Sequence, residues 1–250
     1  MKAIILLAGY ATRLYPLTKD QPKALLEVKG RSILDYIAME LESIDEINEV
    51  LLITNDRFYG KFLAWAKEKS SQYDKKYTVI NDMTTNDFNK LGAVKDIWYV
   101  IKDQKIDEDI VVIAGDNLFT YDLKDSFDFF KKHGKDLVLA QRMDSLEDLR
   151  RMAVGVVDEN NIIIDMEEKP QEPKSDIAFF ATYFYLRETL PLFDLYLDEG
   201  NPPDAPGYFP SWLYKRKPVM AHLFEGVCYD IGTFESYEEV QRNFVPKDYK

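Results

Sequence analysis

The sequence predicts an α/β fold with a mainly parallel, Rossmann-like central sheet flanked by helices. Three observations carry that expectation. Short, continuously apolar runs such as KAIILLAG recur, as in strands covered on both faces. Segments with apolar residues at helical spacing alternate with them through the first half. A polar loop follows the third apolar run and a tight Gly-Asp turn ends the fourth.

KAIILLAG opens the chain as the first strand. Ser32 then stands as an N-cap, and Leu34, Ile37, Ala38 and Leu41 recur at helical spacing. EVLLITN (Glu49–Asn55) reads as a second strand, and the helix after it places Phe58, Phe62 and Trp65 on its buried stripe. YTVIND (Tyr77–Asp82) is a third strand. A polar loop follows, then a helix with Leu91, Val94, Trp98 and Ile101 on one face. DIVVIAGDN (Asp109–Asn117) is a fourth strand ending in a tight Gly-Asp turn.

The second half changes character. AVGVVDENNIIIDMEEKP reads as two strands joined in a hairpin at Glu159–Asn161, and IAFFATYFYL as a further strand. NPPDAPGYFP (Asn201–Pro210) is a loop before a short helix at Ser211–Lys215. VMAHLFEG and VCYDIG are strands, and Phe234–Phe244 is a closing helix. No internal repeat, low-complexity tract or linker interrupts the chain, so one domain over 1–250 is expected.

The 250 residues are 46% hydrophobic and 30% charged, as in an ordinary globular protein with a substantial core. A formal net charge of -12 argues against general attraction to nucleic acid or to an anionic membrane. A single cysteine, Cys228, excludes an internal disulfide and any multi-cysteine metal site, and it fits a reducing cytoplasm. The apolar start is too short for a secretory signal and is followed by Arg13. No apolar run approaches the roughly 18 residues of a membrane span. A soluble, cytoplasmic protein is the expectation.

Against this acidic background, an anionic ligand needs local cations or metal ions. Ligands of parallel sheets gather beyond the carboxyl ends of the strands. Three features fall there: the loop carrying Gly9, Arg13 and Lys23, then Asp116 after the fourth strand, then Asp230 at the end of VCYDIG. Such a set suits a polyphosphate held jointly by Lys/Arg and Mg²⁺. The plainer alternatives are solvated loop charges for Arg13 and Lys23 and a simple turn at Asp116. Neither GxxxxGK[ST] nor GxGxxG is present.

LLAGYATRLYPLTKDQPKALLEV (Leu6–Val28) resembles the signature of the sugar-1-phosphate nucleotidyltransferases, of general form LAxGxGTRLxPLTxxxPKxLLPV. Further landmarks of that family follow in order: LGAV at Leu91–Val94, AGDN at Ala114–Asn117, VGVV at Val154–Val157, EEKP at Glu167–Pro170 and YDIGTFESY at Tyr229–Tyr237. The resemblance covers nearly the whole chain. It implies a nucleotidyltransferase fold with a smaller antiparallel sugar-side elaboration, residues 1–120 lying mainly on the nucleotide side and 121–250 mainly on the sugar-phosphate side. It implies transfer of a nucleotidyl group from a nucleoside triphosphate to a sugar 1-phosphate, with Mg²⁺, giving a nucleoside diphosphate sugar and pyrophosphate. A pyrimidine, dTTP or UTP, is favoured, and glucose 1-phosphate is the first guess for the sugar.

By the same resemblance, Leu7, Ala8, Gly9, Tyr10, Ala11 and Thr12 lie against nucleotide and phosphates. Arg13 holds the triphosphate, Lys23 touches the α-phosphate, and Asn81, Leu91 and Gly92 lie near the base. Asp116 and Asp230 carry the metal. Asn117, Gly155, Glu168 and Tyr183 face the sugar, and Lys169 meets its phosphate. Tyr183, with Tyr185, could instead pack in the core. Arg13, Lys23, Asp116 and Lys169 form the catalytic set.

The chemistry suits these residue types independently. Two anions must meet, so catalysis is charge neutralisation and in-line positioning. The attacking phosphate oxygen is already ionised, and the two histidines, His133 and His222, lie in no motif.

Departures from the family pattern fall on substrate choice. Ala11 replaces the second glycine of GxGTRL, where glycine would permit positive φ. Glu27 replaces a proline, Ala181 stands where a glycine often underlies the sugar ring, and Cys228 stands where an aromatic is common. EEKP favours a sugar phosphate over a phosphorylated alcohol such as phosphocholine. A non-catalytic nucleotide-sugar-binding regulator has only Ala11 and Ala181 in its favour, and a nicotinamide-dependent oxidoreductase lacks its glycine fingerprint. A homo-oligomer is compatible with the sequence, since Phe209 and Trp212 could serve a partner surface or the core. No acyltransferase-type β-helix repeat follows Phe244.

Overall fold

The computed structural model describes residues 1–247. Its strands begin with β1 (Lys2–Leu6), β2 (Glu27–Val28), β3 (Arg31–Ser32), β4 (Glu49–Thr54), β5 (Lys76–Asn81), β6 (Ile110–Ala114) and β7 (Asn117–Phe119). They continue with β8 (Asp136–Arg142), β9 (Ala153–Val157), β10 (Ile163–Glu168), β11 (Ile177–Tyr185), β12 (Val219–Leu223) and β13 (Cys228–Asp230). The helices are α1 (Ile33–Glu42), α2 (Asp56–Lys69), α3 (Ala93–Asp103), α4 (Leu123–His133), α5 (Leu146–Leu149), α6 (Leu192–Asp198), α7 (Tyr208–Leu213) and α8 (Phe234–Asn243). The expected alternation is present: this is an α/β fold with parallel strands and helices, together with antiparallel pairs.

The chain forms two compact units from interleaved segments. Met1–Lys90, Ile113–Lys124 and the stretch from Gly226 onward make the first; Leu91–Val112 and Asp125–Glu225 make the second.

In the first unit, β1, β4 and β5 run parallel, with Lys2 opposite Glu49 and Glu49 opposite Lys76. Ala3, Ile4, Ile5 and the run Val50–Ile53 are wholly buried, as continuous apolar strands require. Ser32 caps α1 as expected, in a reciprocal box with Asp35. Asn55 caps α2, whose Phe58, Phe62 and Trp65 are all buried. The Gly-Asp turn after β6 is tight because Gly115 donates its N–H to Leu6 O at 3.0 Å. A Cβ there would lie 2.3 Å from Leu7 Cδ2, so only glycine fits. β7 then pairs antiparallel with β13, setting Asn117 opposite Asp230.

In the second unit, β9 and β10 form the expected hairpin, turning at Asn161 with φ 61. β11 pairs antiparallel with β9 and β8, and β12 lies parallel to β8. Phe193 and Phe209 stack at 3.7 Å, with Tyr185, Tyr196 and Trp212 around them. Phe209 and Trp212 are therefore core residues.

Three local expectations change. The helix expected at Ser211–Lys215 runs from Tyr208 to Leu213, since Pro210 is tolerated within a first turn. Leu91 lies before α3, whose buried residues include Val94, Ile97, Val100 and Ile101; Trp98 is half-buried and donates Nε1–H to Asp194 Oδ1. α4 and β8 occupy a stretch for which no element was expected. Among the described residues, no helix is long and apolar enough to cross a membrane.

Candidate active site

Leu7 N–H extends the β1–β4 ladder by donating to Ile53 O at 2.8 Å. The chain then leaves the sheet. Leu7 and Ala8 are buried, Gly9 is exposed, and nothing lies within 4 Å of where a Gly9 Cβ would be. Among the described residues, the backbone N–H groups of Gly9, Tyr10, Ala11 and Thr12 donate to no acceptor. Successive free amides of this kind make a concavity suited to an anion. Ala11 sits at φ 46, ψ 42, the left-handed region that a glycine would enter freely. Its carbonyl is held by Thr18 Oγ1–H at 2.7 Å and by Leu14 N–H at 3.0 Å. Tyr10 is buried, its hydroxyl 3.4 Å from Thr84 Oγ1, and burial raises its pKa.

The same unit gathers the cations and carboxylates that the sequence singled out. Lys23 Nζ lies 2.9 Å from Asp116 Oδ2 and 3.7 Å from Asp230 Oδ1. Arg13 borders the group: a Cβ at Gly232 would be 3.8 Å from both an Arg13 guanidinium nitrogen and Asp230 Oδ2. The β7–β13 pairing is what carries Asp230 to Asp116. Burial pushes the Asp116 carboxyl up, but Lys23 and then Arg13 outweigh it and hold the group below the usual carboxylate range. Asp230 moves the other way, raised by burial and by Asp116 against the pull of Lys23. The side chains are 46% and 76% exposed, so solvent moderates both shifts.

Among the described residues, no group of three or more His, Cys, Asp and Glu side chains could hold a metal ion. Asp116 and Asp230 nevertheless converge on one positive charge, the Lys23 ammonium. Their chemistry fits a hard divalent cation that takes one or two carboxylates from protein and further oxygens from a phosphate substrate.

The second unit holds its own cluster. Glu168 ends β10, its side chain 12% exposed, with a Lys169 Nζ at 3.9 Å. Burial raises the Glu168 pKa, and Lys169 pulls it back. Lys169 is exposed and takes φ 51, with its N–H donated to Met152 O. Tyr183 is buried beside Glu168, and burial followed by that carboxylate pushes its phenol well up. Gly155 is required by packing, since a Cβ would fall 2.0 Å from Asp165 O. Ala181 lies in the irregular stretch of β11 between Phe179 and Tyr183.

The remaining candidates are occupied by the fold itself. Asn81 donates Nδ2–H to Asp56 Oδ1 and accepts from Met83 N–H. Asn117 is buried on β7. Leu91 and Gly92 fall in the second unit; Gly92 has φ 90, and a Cβ would sit 2.6 Å from Pro203 O. Cys228 is half-buried with its thiol pushed well up by burial, which disfavours the thiolate that a nucleophile needs.

Sequence reasoning gave no site role to Asn55, Asp82, Thr84 or Gly207, and quoted Gly115 and Gly232 only within the AGDN and YDIGTFESY landmarks. Gly115 and Gly232 stand beside the two aspartates and could have been found by that adjacency. Asn55 ends an apolar strand at a helix start, which signals a cap and nothing more.

The chain is similar in sequence and in fold to known nucleotidyltransferases. The chain is 26% identical over its full length to a protein of Sulfolobus acidocaldarius provisionally named a mannose-1-phosphate guanyltransferase, spanning 64% of that protein. It is 24% identical over 98% of its length to a glucose-1-phosphate adenylyltransferase of Rhodopirellula baltica, spanning 60% of it. The chain thus spans under two thirds of these relatives. A Bacillus anthracis structure provisionally named a glucose-1-phosphate thymidylyltransferase, in complex with a sucrose, superposes with a TM-score of 0.81 at 26% identity. That match covers 100% of this chain and 98% of the other. A UDP-glucose pyrophosphorylase complexed with UDP-glucose shares the fold at a TM-score of 0.78 and 21% identity, over 96% of both chains. The model of the Nucleotidyl transferase family matches residues 2–246, so the loop of free amides and the paired aspartates sit in a chain that belongs to the nucleotidyl transferase family.

Proposed function

We propose that this chain transfers a nucleotidyl group from dTTP or UTP to a sugar 1-phosphate, glucose 1-phosphate first, releasing pyrophosphate, in the cytoplasm and with Mg²⁺. One observation carries the reading: Arg13, Lys23, Asp116 and Asp230 converge in the unit that also offers four unpaired amides. The name of the Bacillus anthracis structure supports the pyrimidine and the sugar.

In the first unit, the amides from Gly9 to Thr12 and the Arg13 guanidinium bind the triphosphate. Lys23 neutralises the α-phosphate as the sugar-phosphate oxygen attacks it in line. The bond from the α-phosphorus to the bridging oxygen breaks, and pyrophosphate leaves with the electron pair. Each preorganised donor contributes on the order of 3 kcal/mol to lowering the barrier. In the second unit, Lys169 is assigned to the sugar phosphate and Glu168 to sugar hydroxyls, with Gly155 and Tyr183 shaping their surroundings. Asp116 and Asp230 would hold Mg²⁺, which would supply further neutralisation of the departing pyrophosphate. No general base is required, since the attacking oxygen is already ionised at neutral pH.

The test is pyrophosphate release with Mg²⁺ and a panel of triphosphates and sugar 1-phosphates, with mass detection of the product. Turnover well above that of Asp116→Ala is expected. No such difference with any pair would overturn the proposal, and preferred turnover of CTP with phosphocholine would replace it.

A further inference from the structure

We infer that Asn55 is a positioning residue that sets the nucleotide loop; the inference rests on the reading of Gly9–Thr12 as the triphosphate cradle. Asn55 is wholly buried at the junction of β4 and α2, distant in sequence from the loop and in none of its motifs. Both ends of its amide are used. Oδ1 accepts from Phe58 N–H at 3.1 Å, capping α2, and Nδ2–H donates to Ala8 O at 2.9 Å.

The second bond fixes more than a carbonyl. In a planar trans peptide, C=O and N–H point in opposite directions. With Ala8 O held toward Asn55, the Gly9 N–H is turned away from α2. Nothing lies within 4 Å of where a Gly9 Cβ would be, and among the described residues its amide has no acceptor. Asn55 therefore aims the first of the free donors outward. An independent contact restrains the next residue: Tyr10 Oη lies 3.4 Å from Thr84 Oγ1, which donates to Asp82 Oδ1 at 2.7 Å. Asp82 N–H is in turn anchored on Thr54 O at 2.9 Å. The segments after β4 and β5 thus grip the loop after β1 at Ala8 and Tyr10, on either side of Gly9, and Asn55 holds it through a fully desolvated group.

Asn55→Asp is the discriminating variant. Aspartate caps a helix as well as asparagine does, so α2 keeps its start, but the Nδ2 donor is replaced by an oxygen facing Ala8 O. Asn55→Ser keeps a capping hydroxyl, lacks the donor and adds no charge, which covers the case in which the buried carboxylate prevents folding. Calorimetry would measure dTTP, UTP, inorganic pyrophosphate and glucose 1-phosphate on each folded variant, alongside far-UV circular dichroism. The expected result is at least tenfold weaker binding of triphosphate and pyrophosphate, glucose 1-phosphate within twofold of wild type, native helix content, and a displaced Gly9 amide resonance in the ligand-free protein. Wild-type affinity for pyrophosphate in either variant, an equal loss for all ligands, or an unmoved Gly9 amide would overturn the assignment. Failure of the underlying functional reading shows separately, as a wild-type protein that releases no pyrophosphate.

Discussion

Lys23 Nζ rests 2.9 Å from Asp116 Oδ2, so in the free protein the candidate α-phosphate cation is neutralised by a candidate metal ligand. The lysine and a divalent ion compete for the same carboxylates. Unit charges about 4 Å apart near a surface interact by roughly 4 kcal/mol, and partial exposure of both aspartates lowers this. Lys23→Met is therefore expected to bind Mn²⁺ about tenfold more tightly in the absence of nucleotide while losing about 10²–10³-fold in turnover. Electron paramagnetic resonance of free Mn²⁺ and a pyrophosphate assay read the two effects. Weaker Mn²⁺ binding by the variant would contradict the competition.

Ala11 holds a left-handed conformation that costs an ordinary L-residue roughly 1–2 kcal/mol. Part of that relief is offset in Ala11→Gly by the greater freedom of glycine in the unfolded chain. A net gain of about 1 kcal/mol is expected, or about 2–4 °C in Tm for a chain of this size. Triphosphate affinity should change little, because the backbone already occupies the required region. A lower Tm in a thermal melt would show that Ala11 is not strained.

Glu49 governs an acid limb of stability. Burial opposes ionisation, but hydrogen bonds from Lys2 at 2.5 Å, Lys76 at 2.6 Å and Thr78 at 2.7 Å outweigh it and lower the pKa from 4.5 to about 2. Because the folded-state value is depressed, the contribution is full above about pH 4.5 and is lost as pH falls toward 2. Its size is roughly 2 kcal/mol after allowance for the exposure of Lys76. Glu49→Gln should unfold at lower urea than wild type at pH 7, and the gap should narrow near pH 3. A gap independent of pH would exclude this origin.

Gly207 takes φ -69 and ψ -16, which alanine adopts without strain, yet a Cβ there would lie 2.2 Å from Glu168 Oε2. The fold of Gly207→Ala should survive, because only the end of a flexible side chain must move. Displacement of that carboxylate is expected to raise the KM for the sugar 1-phosphate about tenfold, leaving the triphosphate KM and the Tm near wild type. Equal changes in both KM values would remove Glu168 from sugar recognition.

Apolar runs and helical spacing made β1, β4 and the buried face of α2 legible, because those elements bury residues wherever the rest of the chain lies. The candidate charges were legible through motif order. That they would gather beyond the strand ends was expected as well; the antiparallel pairing with β7 that carries Asp230 to Asp116 was not legible, since β7 is three residues long and reads as part of a turn. The grip of Asn55 and Thr84 on the loop arises from parallel strand register, which residue types do not encode locally. α4 was readable in principle: Leu123, Phe127 and Phe130 recur at helical spacing and are buried. Interleaving of the two units leaves no single boundary to read, and two of the four crossings fall inside regular elements, β6 and α4.

The β7–β13 pairing also orders events on the ribosome. Lys23 and Asp116 are synthesised well before Cys228–Asp230, so a nascent chain presents its ammonium to a single acid until β13 emerges and docks on β7. The corner proposed to bind the cation is the last part of the candidate site to be finished, and chains that terminate upstream of Cys228 are born without it.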